Sequence, residues 1–303
     1  MSHGVCAMFA GQSIQESGMC RGLWKHPAAR RILERLKPSL GEDLEYITTQ
    51  MPDAELALTF NAQRAIHAHH LGHWFAHKDS NPDLFLEGAV GHSMGVVAAL
   101  VAAGALDVED SGTFMRARAQ AFSDVCKTFP EPMGLAAVST EDFQDVIDEA
   151  EAFPGVRVAL HNTAGRGTLG GTMAALEAFA RKAQEEEWPV KIKVLKVEGP
   201  YHTAAFSPCR PALERALADI RLRKPSCPVF MGTSGRAETD PGRIAELLVQ
   251  QADSRERHLE AVRAAYAAGC RRFLEVSFKP QPVTWLKDQL PPDAQAIAVA
   301  AES

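Results

Sequence analysis

The chain has 303 residues, of which 46% are hydrophobic and 23% charged, with a formal net charge of −6. That balance suits a globular protein able to bury a sizeable core, as one large domain or one domain with an insertion, and gives no electrostatic reason for nucleic acid or an anionic membrane as partner. No stretch has the apolar length of a membrane span, the N-terminus has no basic region leading into a long apolar core, and the six cysteines form no Cys-x-x-Cys pair, so cytoplasmic residence with reduced thiols is expected.

Val5 to Phe9 reads as a buried strand, followed by the turn Ala10-Gly11-Gln12-Ser13 and a helical region through Leu36. A helix over 62–76 comes next. His69, His73 and His77 share one of its faces, but no second cluster of Cys, Asp or Glu completes a metal site, so a solvated or interfacial helix with no metal is expected. Leu84 to Val90 is apolar enough for a buried strand and Val96 to Ala103 continues as a helix; between them stands Gly91-His92-Ser93-Met94-Gly95. This is the context of a Gly-x-Ser-x-Gly nucleophile elbow, in which a sharp strand-to-helix turn exposes the serine hydroxyl and the helix N-terminus offers N–H groups to an oxyanion. A long amphipathic helix over 108–128 carries Arg116 and Arg118, roughly 200° apart around its axis.

The rhythm changes after Phe129-Pro130-Glu131-Pro132. Residues 134–197 read as strand (GLAAVS), helix (140–152), strand (VRVALHN), turn, strand (GTLGG), helix (172–187) and strand (VKIKVLKV). That βαββαβ order fits a compact ferredoxin-like insert. The glycines at 165, 167, 170 and 171 lack the Lys-Ser/Thr of a phosphate loop and predict a hairpin turn. Helix resumes over 208–220, then strand at 229–232, helices over 242–251 and 256–268, and strand at 272–276. The expected fold is α/β: a large α/β-hydrolase-like domain with a mainly parallel sheet over 1–130 and 200–303, interrupted by a small ferredoxin-like domain over 131–199. His202, where the chain returns from the insert, is the candidate base for Ser93, or a histidine satisfied within its loop.

Four landmarks in order, Phe9-Ala10-Gly11-Gln12-Ser13-Ile14-Gln15, Gly91 to Gly95, Arg118 and Pro200-Tyr201-His202, resemble the malonyl-CoA:acyl carrier protein transacylases and the related acyltransferases of polyketide synthases. Asn61-Ala62-Gln63 and His161-Asn162-Thr163 resemble recurrent stretches of that family. The resemblance implies a ping-pong acyltransferase with Ser93 as nucleophile and His202 as base. It implies Gln12 and Met94 as main-chain oxyanion donors, Arg118 as partner of an acyl carboxylate, and Gln63, His92, Tyr201 and Asn162 around the pocket. It further implies no bound cofactor, malonyl-CoA or a related acyl-CoA as substrate and a phosphopantetheinylated acyl carrier protein as partner. Arginine suits an acyl carboxylate because it is planar, bidentate and permanently charged. Tyr201 beside His202 resembles malonyl-selecting members.

The chain departs from the pattern at Ser13 and Ile14, at Val96 in place of a glutamate, and at Val276-Ser277-Phe278-Lys279-Pro280 in place of a Gly-Pro-Gly turn. Arg257 is placed at the family glutamine whose backbone carbonyl orients the histidine, or as a second cation near the carboxylate, or as a surface arginine. Lys191, Lys193, Lys196, Arg221, Arg223 and Lys224 could steer an acidic carrier protein, or form a solvated face. Three alternatives stand beside malonyl transfer: a carrier-thioester hydrolase with the same dyad, a transacylase for an unusual acyl group between carriers, and a docking scaffold without catalysis.

Overall fold

The computed structural model describes residues 4–195, 197–286 and 290–299. Lys196, and with it one member of the basic group, lies outside them.

Two sheets organise the described residues. The strands in chain order are β1 (Val5–Phe9), β2 (Leu86–Gly91), β3 (Met133–Ser139), β4 (Val156–Thr163), β5 (Arg166–Thr172), β6 (Lys191–Val194), β7 (Val229–Met231), β8 (Arg236–Glu238), β9 (Glu256–Arg257), β10 (Arg272–Val276) and β11 (Gln295–Val299). The larger sheet has the order β11-β10-β1-β2-β7-β8 and is parallel except where β8 turns back on β7. Its central strand β1 is buried at all five positions, as expected of a parallel strand covered on both faces.

On one face the helices Pro27–Leu40, Thr59–Ser80 and Val108–Cys126 pack against one another, and Gly95–Ala102 lies between them and the sheet. This arrangement corrects the expectation of a solvated or interfacial helix over 62–76. His67, His69 and His70 are fully buried and His73 nearly so, because the helix is covered on three sides and its Ala62, Ala65, Ala68 and Gly72 allow close approach. Among the described residues no group of three His, Cys, Asp or Glu is placed to hold a metal.

The βαββαβ stretch forms the second sheet, in the order β6-β3-β5-β4, antiparallel throughout. The helices Gln144–Ala152 and Met173–Glu185 close over a separate core built on Phe143, Leu169 and Phe179. The first of these starts four residues later than predicted, since the Thr140 amide is taken by Gly165 and the Asp142 carboxylate accepts from the Gln144 amide. The glycines at 165 and 167 lie at the β4–β5 hairpin. Likewise the predicted helix over 256–268 begins only at His258, because Glu256 and Arg257 form β9, which adds to β4 in parallel as the fifth strand of the second sheet. The helical region through Leu36 divides at Pro27, which opens the second helix at its first position.

Candidate active site

β2 delivers the elbow. Ser93 has φ 51°, in the left-handed region, and the turn closes only because its flanking residues lack side chains. A Cβ on Gly91 would stand 2.0 Å from the Val96 nitrogen, and one on Gly95 would stand 2.3 Å from the Phe9 carbonyl oxygen. Ser93 Oγ lies 2.7 Å from His202 Nε2, and His202 Nδ1 donates to the Gln251 carbonyl at 2.8 Å. With Nδ1 carrying the proton, Nε2 is left as the acceptor for the serine hydroxyl. His202 is itself at φ 62° and its amide donates to the Ala252 carbonyl. Burial, with Arg118 and His92 adding to it, pushes the imidazole down to about 3. It is a neutral base at rest.

Among the described residues, the amide N–H groups of Gln12 and Met94 have no acceptor, and Met94 caps the N-terminus of Gly95–Ala102. The Ser93 amide is different, since it is held by the Glu256 carboxyl at 3.2 Å. His92 Nε2 donates to Asn162 Oδ1 at 2.8 Å, tying the elbow to β4.

A cleft of about 330 Å³ opens at the carboxyl ends of β1 and β2, the end at which open parallel sheets bind ligands. Gln12, Ser93, Tyr201 and His202 form one wall, Leu135 and Leu160 of the second sheet the other. A wider cleft of about 930 Å³ lies at the opposite strand ends around Glu87, Arg271 and Arg272, and its walls carry no histidine.

Arg118 is 2% exposed whereas Arg116 is exposed to solvent. Arg118 Nη1 donates to Gln63 Oε1 at 2.6 Å, Nη2 donates to Gln251 Oε1 at 3.3 Å, and the guanidinium lies 4.2 Å from the Phe122 ring centre. Burial lowers it to about 10, so it stays protonated at neutral pH. Arg118 stands behind the cleft wall, and Gln63 sits on it and not on the cleft. Tyr201 is in the wall, its hydroxyl paired with Thr59 Oγ1 and its ring stacked on Phe122.

Of the three readings of Arg257, the surface arginine is the one its exposure supports. The carbonyl that orients His202 belongs to Gln251, at the C-terminus of the helix Pro241–Gln250, while Arg257 is exposed and donates to the Thr233 carbonyl. Gln251 and Glu256 were both missed as site residues. Residues 252–255 between them form a turn, and Glu256 opens the two-residue strand β9. Val96 is fully buried in the elbow helix. In the turn after β10, the Phe278 amide donates to His69 Nε2, and the Gln281 and Val283 amides donate to the Glu275 carboxylate. Lys191, Lys193, Arg221 and Lys224 are exposed, whereas Arg223 is engaged by both oxygens of Asp107.

A left-handed serine at the head of a parallel strand, with a neutral histidine on its hydroxyl, defines the class of enzymes that carry acyl groups on serine. Within that class the chain belongs to the acyl transferase domain family, whose model matches residues 7–301. It is 28% identical to the malonyl CoA-acyl carrier protein transacylase of Bacillus subtilis (strain 168) over 277 residues, 90% of this chain and 86% of that one. With the enzyme of the same name from Haemophilus influenzae it shares 28% identity over 297 residues, 96% and 94% of the two chains. The crystal structure of an acyl-carrier-protein-S-malonyltransferase from Bartonella henselae superposes with a TM-score of 0.89 at 28% identity, covering 99% of this chain and 96% of that one. The protein is an acyltransferase.

Proposed function

We propose that the protein moves a malonyl or related dicarboxylic acyl group from CoA to the phosphopantetheine thiol of an acyl carrier protein, through an ester on Ser93. The observation that carries this is the hydrogen bond from Ser93 Oγ to an imidazole whose other nitrogen is fixed on the Gln251 carbonyl. As Ser93 Oγ attacks the thioester carbonyl, His202 Nε2 takes its proton. The amides of Gln12 and Met94 receive the oxyanion. Collapse of the tetrahedral adduct breaks the carbon–sulfur bond, and His202 returns the proton to the departing CoA sulfur. The carrier thiol then gives its proton to His202 and attacks the ester carbonyl; Ser93 recovers the proton as it leaves.

Arg118 supports a carboxylate on the acyl group, because its present partners are the neutral oxygens of two glutamines, which a carboxylate can displace with gain of charge pairing. The printed names of the relatives support the same donor and acceptor. We read the parallel-sheet unit as hydrolase-like over 1–130 and 200–303, and the antiparallel unit over 131–199 as ferredoxin-like, in keeping with the strand order β6-β3-β5-β4. Cytoplasmic residence accords with six free cysteines. The test is incubation with a panel of acyl-CoAs and mass analysis of the peptide containing Ser93. A malonyl adduct on Ser93, absent in Ser93→Ala and discharged by a phosphopantetheinylated carrier, is expected. No adduct from any dicarboxylic acyl-CoA would refute the proposal.

A further inference from the structure

Behind the nucleophile lies a buried carboxyl group with no part in the acyl-transfer steps. Glu256 is fully buried, and both of its oxygens accept hydrogen bonds. Oε1 accepts the Ser93 amide at 3.2 Å and Oε2 accepts from Gln251 Nε2 at 3.5 Å. The same Gln251 nitrogen donates to the Ser93 carbonyl at 3.0 Å. Glu256 and Gln251 therefore hold both ends of the residue that must keep a left-handed backbone. Gly232, just beyond β7, makes room for the carboxyl, since a Cβ there would lie 1.9 Å from Glu256 Oε1. Gln251 also reaches the other way, its Oε1 accepting from Arg118 Nη2 at 3.3 Å. One connected buried set thus runs from the arginine to the nucleophile's backbone.

We propose that Glu256 is a positioning residue that, by holding or releasing a proton, sets how much of the Arg118 charge an incoming acyl group meets. The inference rests on the reading of Arg118 as the partner of an acyl carboxylate. An ionised Glu256 accepts both N–H groups and offsets the guanidinium, so a second carboxylate arriving at Arg118 gains little. A neutral Glu256 leaves Arg118 as an uncompensated cation, and the dicarboxylic group is then favoured over an uncharged one.

Burial pushes Glu256 up to about 7, against the opposing pull of the Ser93 amide, Arg118, Gln251 and Arg257. The surrounding cations are Arg118, from the helix Val108–Cys126, and Arg257 on its own strand. His92 in the elbow, His202 beyond the insert and His258 next to β9 are all held below the usual imidazole value by burial. Preference for a charged acyl group is therefore greatest below pH 7 and declines above it.

The experiment measures Ser93 acylation of the intact protein by malonyl-CoA and by acetyl-CoA in parallel from pH 6 to 9. The ratio of the two kcat/KM values cancels changes common to both donors, including any in His202. In the wild type the malonyl-to-acetyl ratio is expected to fall about fivefold or more across this range. In Glu256→Gln it is expected to stay near its low-pH value throughout. Gly232→Ala, which displaces the carboxyl while keeping the residue, is expected to flatten the profile too. A purely structural role moves both rates together and leaves the ratio level. A level wild-type ratio overturns the proposal, as does a slope that survives in Glu256→Gln. A wild type that forms no dicarboxylic adduct at any pH overturns the functional reading and this inference with it, and is told apart by the missing mass.

Discussion

Arg118 holds a full charge where water does not reach it, stabilised by two amide oxygens and an aromatic face. Neutral acceptors suit a receptor for a charged ligand better than a permanent carboxylate in direct contact, which would satisfy the guanidinium before substrate arrived. Replacing it with alanine removes the group that singles out a carboxylate and leaves Ser93 and His202 in place. Arg118→Ala is therefore expected to lower malonyl acylation by about a hundredfold or more, the loss of a buried charge-assisted pair worth roughly 3 kcal/mol or more. Acetyl acylation should hold or rise. Steady-state acylation kinetics with both donors check this, and equal malonyl rates would remove Arg118 from the acyl site. Arg118 and Arg116 separate cleanly at this scale because two residues along a helix point nearly opposite ways, a difference visible in the amphipathic pattern. Gln251 and Glu256 offered no such signal. Glu256 sits in Arg255-Glu256-Arg257, which reads as a charged surface run, and its burial comes from pairing with β4, a partner far back in the chain.

At the level of elements, the elbow was legible because its signals are local: an apolar strand, two glycines at fixed spacing and an apolar helix. The βαββαβ order was legible for the same reason, each element being long enough to show its own period. β8 and β9 were not, since Arg236–Glu238 and Glu256–Arg257 carry no apolar run and β9 depends on β4, a partner far back in the chain. The elbow also shows where local propensity fails. Gly95 opens the helix Gly95–Ala102, and on propensity alone alanine there would stabilise by up to about 1 kcal/mol. Packing reverses the sign, because the new Cβ would stand 2.3 Å from the Phe9 oxygen and 2.6 Å from the Ala10 oxygen, both backbone atoms of the strand and turn that lead to Gln12. Gly95→Ala is expected to destabilise by about 2 kcal/mol or more and to abolish acylation by shifting the Met94 and Gln12 amides apart. Urea unfolding midpoints report the first effect and adduct mass the second. A variant at least as stable as the wild type would show that the turn can relax.

Across the whole molecule, the response of stability to acid follows the neutral imidazoles that folding has buried. His67, His69 and His202 are pushed down to about 3 by burial, and His70 and His258 well below their usual value, from the 6.5 they have when unfolded. For a group whose folded value is depressed, the contribution to stability is present above the unfolded value and is lost as pH falls. Each costs about 1.4 kcal/mol per pH unit once the unfolded chain takes up the proton. Glu256 and Glu275 act in the opposite sense, both raised from 4.5 to about 7. Their contribution is present below 4.5 and is lost as pH rises through 7, so they return stability over the window in which the histidines lose it. The buried histidines outnumber the two raised carboxyls, so below 6.5 the net effect is a loss of stability as pH falls. The urea midpoint is therefore expected to be highest near pH 6.5 and to fall steeply towards pH 5. His70 offers the sharpest check, because among the described residues neither of its ring nitrogens has a hydrogen-bond partner and its replacement by leucine forfeits no hydrogen bond. His70→Leu should reduce the acid slope by about 1.4 kcal/mol per pH unit. An unchanged slope in that variant would mean that proton uptake by the buried histidines does not drive acid unfolding.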